Sequence, residues 1–187
     1  MVMKALCEFG KNFITKREIK SWYKKLLKEK GGQQIIRLIL NYEACSPNDL
    51  AMAYTGKEDN SFITIDIKQL LKIGCDRDEI KFIIAHELAH LIGPQSTTHE
   101  YAGVGMEDCP AEVIRYREIE ADYLALQWTD LIYPEYVLLR RKLNDFLLEY
   151  VKPHMSPKEY RRAKKLVREA EVAQVQGVVN MTKEFIW

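Results

Sequence analysis

Histidine is scarce in this chain: His86, His90, His99 and His154 are the only four in 187 residues. Cysteine is equally rare. Cys7, Cys45, Cys75 and Cys109 stand far apart with no C-x-x-C pair, which argues against a structural zinc finger. Cys109 alone falls close enough to the motif region below to be weighed as a thiolate ligand, against the plainer reading of a loop or cap residue. Charge of one sign is also missing. The formal net charge is +1, so no overall field draws nucleic acid or a membrane surface. No apolar run approaches the ~20 residues of a membrane span, and the first ten residues hold no apolar stretch suited to a secretory signal. These absences lead to the expectation of a cytoplasmic protein with no membrane contact. What remains is ordinary globular material, 47% apolar and 29% charged, long enough to bury a sizeable core.

Two of the four histidines lie together, in His86-Glu87-Leu88-Ala89-His90. Residues four apart share one face of an α-helix, about one turn apart. Both imidazoles can therefore address one ion, with Glu87 close enough to touch a water on it. The flanks favour a helix over 77–92. Asp78 and Glu79 suit its positive first turn, and Gly93-Pro94 ends it. Ile80, Phe82, Ile83, Ile84, Ala85, Leu88, Ala89, Leu91 and Ile92 make it apolar on most sides, so it is expected to be buried. The same pentapeptide can also be two polar residues bonded inside a core, and a third ligand is needed to decide.

Around that helix the sequence reads as α+β. Thr15 and Glu18 form a capping box for a helix over 15–30, whose stripe is Ile19, Trp22, Tyr23, Leu26 and Leu27. Residues 34–40, 50–54 and 62–66 read as strands, and the last two, joined by a short turn-like segment, are expected to pair antiparallel. A helical turn over 67–73 leads by Gly74 into the motif helix. Residues 93–108 read as a long surface loop. A further helix is expected from Cys109-Pro110 to about Ile132, with Glu118 and Asp122 on one face. A small antiparallel or mixed sheet should pack on the motif helix.

Together the two helices resemble those of the gluzincin metallopeptidases, which pair H-E-x-x-H with a downstream E-x-x-x-D, here Glu118-Ile119-Glu120-Ala121-Asp122. The resemblance covers roughly residues 60–130 and is nearest to the ImmA/IrrE-type peptidases or the minigluzincins. It implies a zincin-like fold, with His86, His90 and Glu118 as ligands of Zn2+ and Glu87 as the base that helps a zinc-bound water attack a peptide bond. It implies that Asp122 orients a ligating histidine. A metzincin pattern fails because its third histidine would fall at Ser96, although His99 is an alternative third ligand. An oxyanion stabiliser is also expected. His154 is one candidate, with Tyr101 and Tyr116 as others. The strand 62–66 could lie along the cleft and pair with an extended peptide or protein substrate.

Residues 1–132 thus read as the zincin-like domain and 133–187 as a helical extension packed on it. Tyr133-Pro134 breaks the chain before an amphipathic stretch over 135–150. Ser156-Pro157-Lys158-Glu159 opens another helix, with Tyr160, Ala163, Leu166, Val167 and Ala170 expected inward. Lys158, Arg161, Arg162, Lys164, Lys165 and Arg168 face outward, either as a solvated surface or as a site for an acidic partner or nucleic acid. The apolar ending of residues 177–187 suggests a segment that covers the cleft and keeps the enzyme latent. The alternative function is a regulatory or nucleic-acid-associated protein that uses the same fold with little or no peptidase activity. Oligomeric state is left open.

Overall fold

The computed structural model describes residues 15–31, 35–40, 50–54, 61–93 and 109–184. His99 and Tyr101, Cys7 and Cys45, most of the loop over 93–108, and residues 185–187 lie outside them. Helix α1 (Lys16–Lys30) opens on the expected capping box, in which Thr15 and Glu18 bond each other's backbone N–H. Its inward residues are Ile19, Tyr23 and Leu26. The Tyr23 hydroxyl donates to the Ile36 carbonyl at 3.1 Å, which ties the helix to the first strand.

Strands β1 (Arg37–Leu40), β2 (Ala51–Tyr54) and β3 (Phe62–Ile65) form a mixed sheet in the order β1-β3-β2. β2 and β3 pair antiparallel, as their short connection requires. β1 pairs parallel with β3, Leu38 opposite Ile63. β1 alternates exposed and inward residues, while Ile63, Thr64 and Ile65 of β3 are buried, as befits a central strand. This corrects the idea that strand 62–66 pairs with substrate. Its hydrogen-bonding edges are already taken by β1 and β2, and a strand paired on both sides cannot accept a third.

Asp66 caps the short helix α2 (Ile67–Lys72) by accepting from the Gln69 amide. The turn after it needs Gly74, whose φ of 81° is costly for any residue with a Cβ. Helix α3 (Arg77–Ile92) then starts on a second capping box, Asp76 with Glu79. Lys142 fastens this start from outside: its ammonium donates to both Glu79 carboxylate oxygens, at 2.7 and 2.6 Å, and to the Gly74 carbonyl. Nearly all of α3 is buried, with Ile80, Ile84, Ala85 and Leu88 fully enclosed. Truncating such a side chain, Leu88→Ala for example, costs about 2–5 kcal/mol. β2 and β3 rest on α3.

Helix α4 (Ala111–Trp128) packs along α3. It stops four residues before the expected Ile132, because Thr129 turns to extended backbone. Helix α5 (Tyr133–Val151) contains Tyr133-Pro134 in its first turn. Proline is tolerated there because its missing N–H has no helical partner, so the pair starts a helix where a break was expected. A 3-10 turn (Lys152–His154) leads to α6 (Pro157–Glu184), opened by the Ser156–Glu159 capping box. At 28 residues α6 is the longest helix described. It crosses α4 at Gly177, where a Cβ would stand 2.5 Å from Ile119 Cδ1. Val178 and Met181 are buried. Residues 177–184 are therefore core-packed helix rather than a separable tail. Of the residues expected inward on this helix, Tyr160, Ala163 and Val167 are half-buried, whereas Leu166 is 55% exposed and Ala170 is exposed, so the inward stripe is displaced in its middle part. It passes through Val167, Glu171, Gln174 and Val178. Among the described residues no helix is long and apolar enough to cross a membrane.

Candidate metal centre

Helix α3 carries His86 and His90 one turn apart, and α4 lies alongside with Glu118 facing them. The donor atoms form a small triangle. His86 Nε2 and His90 Nε2 are 3.1 Å apart, His86 Nε2 and Glu118 Oε2 3.5 Å, and His90 Nε2 and Glu118 Oε1 3.3 Å. Zinc bonds of about 2.0–2.1 Å in tetrahedral array put donors roughly 3.3–3.5 Å apart. Two imidazoles and a carboxylate are also the donor set such an ion takes, so the residues fit a divalent metal. Among the described residues these three form the one group of His, Cys, Asp and Glu side chains so gathered.

Behind the triangle sits Asp122, one turn after Glu118 and fully buried. Its Oδ1 lies 2.8 Å from His86 Nδ1. With Nδ1–H donated to Asp122, Nε2 is the nitrogen directed at His90 and Glu118, and its lone pair is free to ligate once its proton has left. Asp122 has further partners that sequence reasoning missed. Tyr136 donates its hydroxyl at 2.7 Å, Arg140 its Nε at 2.9 Å and a terminal nitrogen besides, and Gln174 its side-chain amide at 2.6 Å. A signal was present in the pattern. Tyr136, Arg140, Leu143 and Leu147 follow helical spacing on one stripe, so Arg140 occupies a core position where only a charged partner could satisfy it.

The electrostatics follow from this packing. Burial alone would lower His86, but the hydrogen bond and charge of Asp122, with Glu118 behind them, push it up to about 10. Burial would raise Glu118; hydrogen bonds from His86 and His90 and their charges hold it well below the ordinary carboxylate range. Asp122 is likewise lowered against its burial, first by the charge of Arg140 and then by His86. Glu87 differs. Burial raises its carboxyl, the two histidines oppose the rise, and Glu118 adds to it.

His154 is not brought to this cluster. It is exposed, with its ring 6.3 Å from that of Tyr150. It follows the end of α5 at Val151, which is eleven positions, roughly 17 Å of helix, beyond Arg140. Cys109 accepts a 3.7 Å contact from Arg117 and is absent from the donor group. Tyr116 is 47% exposed.

Residues 15–107 match the family model of Peptidase family M48. The chain is similar to that metallopeptidase family over this stretch. The M48 match contains His86, Glu87 and His90 but ends before Glu118, so the third donor rests on the geometry above. It supports a metallopeptidase in general. No curated protein and no solved structure matches the chain.

Proposed function

We propose that this protein is a zinc-dependent metalloendopeptidase in which His86, His90 and Glu118 hold Zn2+ and Glu87 is the general base. The observation that carries the reading is the donor triangle, with spacings of 3.1, 3.3 and 3.5 Å, two of whose three donors stand on a helix that the M48 match includes. When bound, zinc supplies a Lewis acid and lowers the pKa of water to about 7. The chain's own residues do the rest. Asp122 holds His86 in the tautomer whose Nε2 is free to ligate. Glu87 accepts a proton from the attacking water at a carboxylate oxygen and returns it to the leaving amine. Its upward-shifted carboxyl suits both duties, because a base whose pKa lies nearer the working pH also makes a usable acid. The substrate is a peptide or protein in extended form. With β3 enclosed, β2 is the edge strand that rests on α3, and its outer edge is the better place for a substrate backbone to add.

The test is metal analysis together with a casein-type assay on wild type and Glu87→Gln. The expected result is about one zinc per chain in both proteins and hydrolysis by wild type only. A wild-type protein that takes up no divalent metal would overturn the reading.

A further inference from the structure

The Asp122 carboxylate is bonded from four side chains on three other helices. His86 of α3 and a terminal nitrogen of Arg140 meet Oδ1, while Tyr136 of α5, the Arg140 Nε and Gln174 of α6 meet Oδ2. A carboxylate offers about four lone-pair sites, so Asp122 is saturated. One arginine would suffice to compensate a buried carboxylate. The additional hydroxyl and amide do something else: they fix the plane of the carboxylate, and with it the direction in which Oδ1 accepts from His86 Nδ1.

We infer that Tyr136, Arg140 and Gln174 are positioning residues of the metal centre, acting on His86 through Asp122. The inference rests on the proposed zinc site and deepens it. Helices α5 and α6 then complete the site rather than append to it, because the aim of His86 Nε2 depends on donors that arrive after residue 132. Gln174 is the most informative of the three. It stands 52 positions beyond Asp122 in sequence, on a helix that supplies no ligand. At the next inward position, one turn on, Val178 is fully buried, so this stripe of the helix accepts apolar side chains. A neutral amide directed at an already charge-paired carboxylate makes sense as an orienting contact.

The experiment titrates the metal-free 187-residue chain with Co2+, reading its visible absorption, and with Zn2+ against a competing chelator. Wild type is compared with Arg140→Met, Tyr136→Phe, Gln174→Met and, as a stability control away from the site, Glu171→Gln. We expect Arg140→Met to bind Zn2+ about 10-fold more weakly, and Tyr136→Phe and Gln174→Met about 3-fold, with altered Co2+ spectra in all three, since partners behind a ligand typically count for 10–100-fold. Glu171→Gln should keep both affinity and spectrum. If Arg140→Met does not fold, the two single-donor variants decide. Folded variants with wild-type affinity and an unchanged Co2+ spectrum would overturn the positioning role, leaving the cluster as core packing. Should wild type itself bind neither ion, the metal-centre reading fails, and that outcome is distinguishable from failure of the positioning role.

Discussion

Arg140 and Arg141 are neighbours in α5 and end on different buried carboxylates. Arg140 reaches Asp122, which is fully enclosed. Arg141 reaches Glu171 of α6 at 3.2 Å, and Asn144 and Arg168 bond the same carboxylate at 3.3 and 2.5 Å. Both clusters therefore fasten α5 to another helix by a carboxylate and an arginine. The Glu171 cluster closes on itself: its donors are arginines and an amide, and Arg168 goes on to Asp145. The Asp122 cluster opens onto an imidazole whose other nitrogen faces two more potential ligands. Burial of a charged pair does not mark function; what the pair is aimed at does. The contrast also bears on the basic face of α6. Arg168 is committed to Glu171 and Asp145, so a partner would meet the remaining exposed residues Lys158, Arg161, Arg162, Lys164 and Lys165.

The sharpest way to test this contrast is at the catalytic step. Glu87→Gln should lower peptidase activity by about 100–10,000-fold while zinc content stays the same, whereas Glu171→Gln should hydrolyse casein at the wild-type rate. Comparable losses in both folded proteins would erase the distinction. Next in size is Asp122→Asn. An amide can present the wrong partner to His86 Nδ1, and zinc affinity measured against a chelator should fall by about 10–100-fold. Glu171→Gln should not move it.

Why one cluster was half legible and the other not follows from the range of the signals. The α3 motif, its capping residues and the first-turn acids are local, and spacing of three or four residues expresses them fully. Glu118 and Asp122 share a face by the same rule. The parallel pairing of β1 with β3 was not legible, because no turn joins those strands and the edge of a sheet is chosen by packing. Thus the strand singled out for substrate proved to be the central one. Arg140 and Gln174 were missed because polar residues on an apolar stripe look like breaks in it, and Tyr136 because an inward tyrosine on such a stripe reads as core packing. In α6 this displaced part of the stripe, while Tyr160, Ala163 and Val167 are half-buried as expected. Glu171 and Gln174 stand at inward positions, so the apolar pattern appeared to run through Leu166 and Ala170, which are exposed.

The Glu171 cluster should announce itself in stability rather than activity. Glu171→Gln should cost about 1–2 kcal/mol at neutral pH, since hydrogen bonds to charged groups contribute on this scale. Burial would raise the Glu171 carboxyl, but bonds from Arg168 and Asn144 and the charge of Arg168 lower it. A carboxyl lowered in the folded state adds stability above its unfolded value of about 4.3, and that gain disappears as pH falls through the folded value. The difference in urea midpoint between wild type and Glu171→Gln should therefore be full at pH 7 and shrink steadily below about pH 4. A difference that stayed constant down to pH 3 would mean that ionisation of Glu171 contributes nothing.

The smallest expected effect separates the two arginines themselves. The Arg141 side chain is 57% exposed, against 18% for Arg140. Water screens the outer pair and competes for its donors, and Glu171 keeps Arg168 and Asn144 when Arg141 is removed. Arg141→Met should therefore cost no more than about 1 kcal/mol and leave zinc affinity untouched. Arg140→Met removes two donors from Asp122 where no solvent can replace them, so its effect on stability should be clearly larger and accompanied by weaker metal binding. Equal losses of stability from the two substitutions, read as urea midpoints under one set of conditions, would show that the enclosure of Asp122 gives Arg140 no special weight.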